Sequence, residues 1–496
     1  MVRNAMKSKW VKEINVFQKP NRMLNWRIGL AYPNSYSVGM SGLSIKLLYH
    51  LLNQHQQIFT ERIFKPKEKH VVPTSLETQL TLPQFNVLAF SFQFELDYIN
   101  AIKMLQQSKI PLYSKDRTST NPLLIAGGPA VTANPNPIID IFDYVFIGEF
   151  ETVAYKFLEA LASGRNKQVR DSIAVLPGFY SAENYSTSVK PIITENLDGV
   201  NYPTAQVRPL FSQPQRKGGL DGYFLQVSRG CPHGCHYCLI GKIFRPHRER
   251  SFSNLKQLII SGSIETQSNH FSLIGSSTAD YSQIEELISF FLQKDFRFTL
   301  PSIRIDSGGE ILNLISQSGQ KSLTIAPEAG STDARYAVGK RISNEQIEEF
   351  TSQANQFGIS QLKTYFILGL TSDLDSEVRA INDLMTSLKF NNPDMRFNAS
   401  ITPLIPKFGT KFENKCVDYT LISEGVKYLK KNLSQNLKFK IFPTRWAIIQ
   451  AMLSIGGREL TPILEEIATR DGSYQAWKKT LRIDPEDYYK QNYCKL

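Results

Sequence analysis

Residues 223–238 read YFLQVSRGCPHGCHYC. The first six, YFLQVS, have the apolar and aromatic character of a buried strand. The remainder packs three cysteines, Cys231, Cys235 and Cys238, into eight positions of a chain that has only five, with His233 and His236 among them. Thiols this close together point to a metal. A structural zinc site takes four ligands, usually as two separated pairs. Here no second CxxC follows, and Cys416 and Cys494 are isolated and distant in sequence. A histidine of the same tight loop would have to complete the tetrahedron, so a zinc-stabilised interaction protein is only a remote alternative. Thiolates also hold iron–sulfur clusters, normally four of them for a four-iron cube. Three leave one iron without a protein donor, and an open coordination position distinguishes a working metal from a structural one.

Working outward, YFLQVS opens a block of about residues 223–410 with six strand candidates. The others are HFSLIG, FRFTLP with SIRID, SLTIA, LKTYFIL and RFNASITPL. Helical stripes separate them, such as Ile284, Leu287, Ile288 and Phe291, or Val378, Ile381, Met385 and Leu388. Ser343 with Gln346 reads as a capping box, and Gly358 as a helix stop. Six β/α units predict a partial (β/α)6 barrel related to the TIM type, whose enzymes work at the carboxyl ends of their strands. The cysteine loop follows strand one.

Ahead of it, residues 1–195 alternate WRIGLAYP, FNVLAFS, PLLIAGGP and DYVFIGE with helical segments. This predicts a Rossmann-like α/β domain with a parallel sheet covered on both faces. Residues 196–222, rich in Pro, Gly, Gln and Arg, read as a linker. Residues 411–496 read as a mostly helical C-terminal domain, with KYLKKNLSQNLKFK (427–440) as a solvated, lysine-rich helix face. The overall class is α/β, and 496 residues suit roughly three domains.

Cys231-x3-Cys235-x2-Cys238, with Tyr237 before the last cysteine, resembles the signature of the radical S-adenosylmethionine (SAM) superfamily. The resemblance implies that the three cysteines hold three irons of a [4Fe–4S] cluster, the fourth binding the amino and carboxylate groups of SAM. Reduction then cleaves SAM to a 5′-deoxyadenosyl radical. The family's glycine-rich segment after strand two stands here as LIGSSTADY, with Gly275, Ser276 and Ser277 in place of two glycines and an acid. The same resemblance makes Tyr237, Gly275, Ser276, Ser302, Arg304, Glu328 and Arg335 SAM-contact candidates.

Domain order, and the stretches LAYPNSYSVGMSGL, IPLYSKDR and IAGGPAVTANPNP, resemble the class of that superfamily with an N-terminal cobalamin (B12)-binding-like domain, over most of residues 25–400. Members that ligate cobalt through histidine use D-x-H-x-x-G after the first strand. Here the loop is Asn34-Ser35-Tyr36-Ser37-Val38-Gly39, so Tyr36 stands where that histidine would be. Cobalamin remains a candidate cofactor, without a histidine ligand from this loop. A GEGE-like loop appears as Gly148-Glu149-Phe150-Glu151, where Phe150 is expected to intrude on a cofactor tail.

The implied activity is methylation or rearrangement at an unactivated carbon of a small molecule or lipid, with a flavodoxin- or ferredoxin-type electron donor. The formal charge of +12 admits nucleic acid as a partner, and an RNA-modifying radical enzyme is the alternative. Transfer-RNA methylthiotransferases carry three further N-terminal cysteines, whereas no cysteine precedes Cys231. No apolar run reaches ~18 residues, so no membrane span is predicted. MVRNAMKSKWVKEINVF lacks the apolar core of a secretory signal. Five cysteines do not read as a disulfide framework, and a cytoplasmic location is expected.

Overall fold

The computed structural model describes residues 6–7, 12–68, 70–164, 167–210, 222–300, 302–432 and 437–494. Parts of the basic N-terminus, residues 211–221 of the expected linker, Pro301 and residues 433–436 lie outside that set. Two compact units emerge. The first takes the described residues through Phe224 with Lys256–Ser268 and Gly456–Arg482, and the second takes the rest.

The first unit is built on a six-stranded sheet. In chain order its strands are β1 (Trp26–Tyr32), β2 (Ile58–Phe64), β3 (Val87–Ser91), β4 (Leu123–Gly127), β5 (Tyr144–Phe146) and β6 (Phe179–Tyr180). Their spatial order is β2-β1-β3-β4-β5-β6, parallel except for the antiparallel β6. Helices α1 (Leu43–Leu52), α2 (Asp97–Gln107) and α3 (Ala154–Ser163) fall on the stretches whose apolar spacing predicts them. The helix Leu460–Arg470 also joins this unit, with Tyr113 donating to Glu465 at 2.7 Å and Thr461 to the Pro137 carbonyl at 3.0 Å. Within the stretch read as linker, Arg208–Leu210 is a strand that pairs antiparallel with Lys12–Ile14.

Strand β2 is absent from the sequence reading because IFTERIF puts Thr, Glu and Arg in its middle. All seven of its residues are nevertheless buried. Arg62 is the reason. Its Nη1 and Nη2 donate to the Glu13 carboxylate at 2.8 and 2.7 Å, and its Nε donates to Glu77 at 2.7 Å. Burial pushes both carboxyls up; beside Glu13 the charge and hydrogen bonds of Arg62 outweigh that, whereas the Glu77 carboxyl stays above its usual range. A buried ion group of this kind persists only when every charge is paired.

Lys46 on α1 shares that interior at 1% exposure, donating to the Val207 carbonyl at 3.0 Å. Burial, and after it the neighbouring Arg62 and Arg208, depress its ammonium to about 7, against a partial lift from Glu13. A lysine depressed in the folded state destabilises most where both states are protonated. Stability therefore rises with pH between about 7 and the unfolded value near 10.4. Lys46→Met should raise the thermal midpoint relative to wild type at pH 6, and the gain should shrink by pH 9. Equal differences at the two pH values would refute this.

The two larger sheets of the second unit are built from β7 (Tyr223–Gln226, of which Leu225 and Gln226 belong here), β8 (His270–Ile274), β9 (Arg297–Thr299), β10 (Ser322–Glu328), β11 (Gln361–Leu368), β12 (Arg396–Pro403) and β13 (Lys438–Ile441), beside a short antiparallel pair, Ser228–Arg229 with Arg248–Glu249. The two sheets are β7-β8-β9 and β10-β11-β12-β13. The Ile303 amide bridges the two by donating to the Thr324 carbonyl at 2.9 Å. All six strand candidates are present, and the result is a partial β/α barrel. The further strand, β13, lies at the end of the stretch read as a helical face: the described helix is Tyr419–Asn432, and Lys438–Ile441 pairs parallel with β12.

Helices cover one side of β11 and β12, where Leu362, Phe366, Phe397 and Ile401 are at most 1% exposed. Thr364 Oγ1 lies 3.5 Å from Met385 Sδ of the helix Leu374–Asn391, which identifies the helix-facing side. The helix Asn344–Gln356 opens with the predicted box, Ser343 N–H donating to Gln346 Oε1 at 2.8 Å and Gln346 N–H to Ser343 Oγ at 3.3 Å. Cys416 and Cys494, isolated in sequence, form a disulfide across 78 residues. Among the described residues no helix is long and apolar enough to cross a membrane.

Candidate metal centre

The loop after β7 begins with a constraint. Gly230 has φ +81°, and a Cβ there would lie 2.3 Å from the Phe244 carbonyl oxygen. Only glycine permits that approach, which turns the chain into Cys231. The loop is then tied from several sides. Arg245 donates to the His233 carbonyl at 3.0 Å, the His236 amide to the Val338 carbonyl at 2.9 Å, and the Cys238 amide to the Cys235 carbonyl at 3.2 Å.

Cys231, Cys235 and Cys238 are free thiols of intermediate exposure. Burial first, then the neighbouring cysteines, raises Cys231 and Cys238 above the ordinary thiol value, against local backbone N–H groups that lower them. Thiols crowded like this keep their protons until a cation replaces them, so metal binding there releases protons. Among the described residues no three Cys, His, Asp or Glu side chains converge as ligands of a single ion. A cubane makes no such demand, because each thiolate holds a different iron. The donor set fits a three-cysteine cluster.

Around these thiols the ends of the next strands contribute polar groups. After β8, Asp280 lies 2.6 Å from His233 Nε2 and accepts a hydrogen bond from Ser277 Oγ. Asp280 is the one acid of the LIGSSTADY segment and lies five residues beyond Gly275. After β9, Arg304 makes a two-pronged contact with Asp306 at 2.9 and 2.7 Å; this outweighs burial and holds the guanidinium charged. Ser302, half-buried, lies in the segment leading to it. At the end of β10, Glu328 pairs with Lys340 at 3.3 Å. Its φ of +69° sits next to an irregularity in the β10–β11 register. A glutamate in that region costs on the order of 1–3 kcal/mol, and such strain concentrates at ligand sites. Burial, then the charges of Glu328 and Cys235 and a hydrogen bond to Cys235, pushes the Tyr237 hydroxyl far above its usual range.

Gly275 packs closely against Ser228 between the first two strand ends. Ser228 Oγ is buried without a hydrogen-bond partner, and a Cβ on Gly275 would lie 2.8 Å from it. An orphaned donor beside a glycine cradle is what a small polar ligand would satisfy. Ser276 is exposed next to it. Gly275→Ala should weaken SAM binding about tenfold, roughly 1.4 kcal/mol of crowding, while iron content is retained. Equilibrium dialysis against SAM at matched iron content checks this; unchanged affinity would remove Gly275 from the site.

Arg335 is placed differently from the other candidates. It is 0% exposed, and its guanidinium donates to the Ile342 and Ala329 carbonyls at 2.7 and 2.6 Å and to Asn344. It ties loops together rather than facing the thiols. Asp280, Asp306, Lys340 and Ser228 are missing from the sequence reading, which weighs His233 only as a zinc ligand. Asp280 alone had a signal, as the one acid within the quoted LIGSSTADY.

Comparison with known proteins names this arrangement. Residues 225–385 match the family profile described as the radical SAM superfamily, and residues 44–180 match the one described as radical SAM proteins, N-terminal. The chain is a radical SAM enzyme.

The family's cofactors are a [4Fe–4S] cluster and SAM, and such an enzyme needs an electron donor and a substrate. An uncharacterized protein of Methanocaldococcus jannaschii, MJ0966, is 27% identical over 460 residues, 92% of this chain and 95% of that one. The radical SAM methyltransferase TsrM of Kitasatospora setae, solved with tryptophan and a SAM analogue, is similar in fold with a TM-score of 0.55. It is 10% identical, over 94% of this chain and 99% of that chain. The cobalamin-dependent radical SAM enzyme OxsB, solved with aqua-cobalamin and SAM, gives 0.52 at 15% identity, over 93% of this chain but 62% of OxsB.

Proposed function

We propose that this radical SAM enzyme uses SAM to methylate or rearrange an unactivated carbon of a small molecule or lipid, methyl transfer being the better supported outcome. The observation that carries the proposal is the set of three half-buried thiols ringed by Asp280, Arg304 and Glu328 at successive strand ends. A cluster held by Cys231, Cys235 and Cys238 would supply the electron that splits the sulfonium of SAM into methionine and a 5′-deoxyadenosyl radical. The chain's own residues bind and orient. Gly275, Ser276 and Ser302 would border SAM, Tyr237 and Glu328 lie against the thiols, and Arg304 suits a carboxylate or ribose. Arg335 acts as a positioning residue. A flavodoxin- or ferredoxin-type protein fits as electron donor.

Cobalamin is part of the proposal, held by the first unit without a histidine ligand. Tyr36 Oη donates to Glu13 at 2.7 Å, and its ring meets Phe64 edge-on at 5.4 Å, so this side chain is committed to the domain interior. Val38, 44% exposed in the short helix Tyr36–Met40 after β1, and Phe94, 38% exposed in the turn after β3, offer an apolar surface of the kind a corrin would cover. Phe150, which the sequence reading expects to intrude on a cofactor tail, packs on Phe146 and Phe157, both at 5.5 Å, a placement that supports room for one.

The test is anaerobic reconstitution with iron and sulfide, then dithionite and SAM, with and without cobalamin. Release of 5′-deoxyadenosine or S-adenosylhomocysteine is expected. A fully loaded cluster that consumes no SAM would reject the proposal, and desalted protein whose visible spectrum shows no cobalamin bands beyond the absorption of the cluster would reject that part alone.

A further inference from the structure

One side of the sheet β10-β11-β12-β13 is covered by helices; the other carries an ordered polar array. Parallel pairing sets Lys363, Asn398 and Lys438 side by side in one row. The next row toward the strands' carboxyl ends is Tyr365, Ser400 and Lys440. Partners in a row point to the same face, and residues two apart along a strand share it. Because Thr364 contacts Met385 on the helix side, these six residues occupy the opposite face, and each is partly or fully exposed. No acidic residue stands in either row.

Lysines on an edge strand such as β13 often serve only to discourage strand addition. Lys363 escapes that explanation, because β11 is an interior strand. Its ammonium stands over the Tyr365 ring, 4.8 Å from the centroid. Two strand spacings, roughly 10 Å, separate the backbones of β11 and β13, a span that two lysine side chains can close on one anion. Within these two rows lysines stand with hydroxyl and amide donors and no arginine, a set that suits the point-like charge of a phosphate; Arg396 lies one row further from the carboxyl ends.

We propose that this face binds the phosphate group of the enzyme's substrate, with Lys363 and Lys440 as its cationic contacts and Ser400 and Asn398 as neutral donors. The inference rests on the radical SAM reading for the word substrate, but not for the binding itself.

Phenyl phosphate is the probe, titrated against the full-length, cluster-loaded chain and followed by its 31P line width. Saturable broadening is expected for wild type, with at least about tenfold weaker binding for Lys363→Gln/Lys440→Gln. The control Lys427→Gln/Lys430→Gln removes the same charge from exposed positions of the helix Tyr419–Asn432 and should bind as wild type. No saturable broadening in wild type, no loss in the first pair, or an equal loss in both pairs would each overturn the proposal. Iron content and circular dichroism of both pairs should match wild type. Co-sedimentation with phosphatidic acid vesicles, reversed by phenyl phosphate, would assign the phosphate to a lipid headgroup; phenyl phosphate binding without co-sedimentation would assign it to a soluble compound. Phosphate binding by protein that never consumes SAM would leave this face standing and reject the enzymatic reading alone.

Discussion

Cys235→Ser should abolish cluster assembly. Iron after anaerobic reconstitution should fall from about four atoms per chain to a small residue, and SAM consumption should fall below detection. Cys231→Ser and Cys238→Ser should behave alike, because the chain offers no substitute. Cys416 and Cys494 are bonded to each other, and the nearby histidines have other partners: His233 pairs with Asp280, and His236 Nε2 lies 3.0 Å from Lys411 Nζ. The fold should survive, since the thiols are only partly buried and the loop is held by Gly230, Arg245 and the Val338 carbonyl. Iron determination and circular dichroism together check both halves. Retention of a full complement of iron and SAM consumption by any one variant would show that its cysteine is not a ligand.

The second large effect concerns stability. Arg62→Met should destabilise the first unit by about 3–5 kcal/mol, because it leaves Glu13 and Glu77 buried without their counter-charge. The arginine is 0% exposed, and its guanidinium also sits 4.7 Å from the centre of the Tyr49 ring. A thermal scan should therefore show one transition moved strongly down. Adding Glu13→Gln and Glu77→Gln should recover much of the loss, since the cost comes from unpaired charge rather than from the missing side chain. The consequence reaches the strand ends. Glu13 also accepts the Tyr36 hydroxyl, so loosening this group should free the Asn34–Gly39 loop. Should Arg62→Met melt as wild type does, the buried ion group would not be holding β2 in place.

Much of the fold was legible because it is written in local patterns. Apolar runs ending in turn residues marked β1, β3, β4 and β5, and helical stripes marked the layers between them. What escaped is instructive. β2 hides because Glu61 and Arg62 carry full charge into the interior and are neutralised by Glu13, Glu77 and Arg27. β13 hides because its lysines continue the charge pattern of the helix before it. In both cases a charge pattern that normally means solvent is reversed by partners distant along the chain.

The same division runs through the site. The sequence by itself determined the grouping of the thiols, because Cys231, Cys235 and Cys238 lie within one loop and their spacing is a property of the chain. It also determined that the loop follows the first strand of a β/α array. Only the tertiary structure decided which groups surround those thiols: Asp280 reaches His233 across 47 residues, and Glu328 meets Lys340 at a bulged strand end. It also withdrew Arg335 into the interior and bonded Cys416 to Cys494. Contacts between residues far apart in sequence are set by how strands stack and where loops return, and no local pattern of residues encodes that.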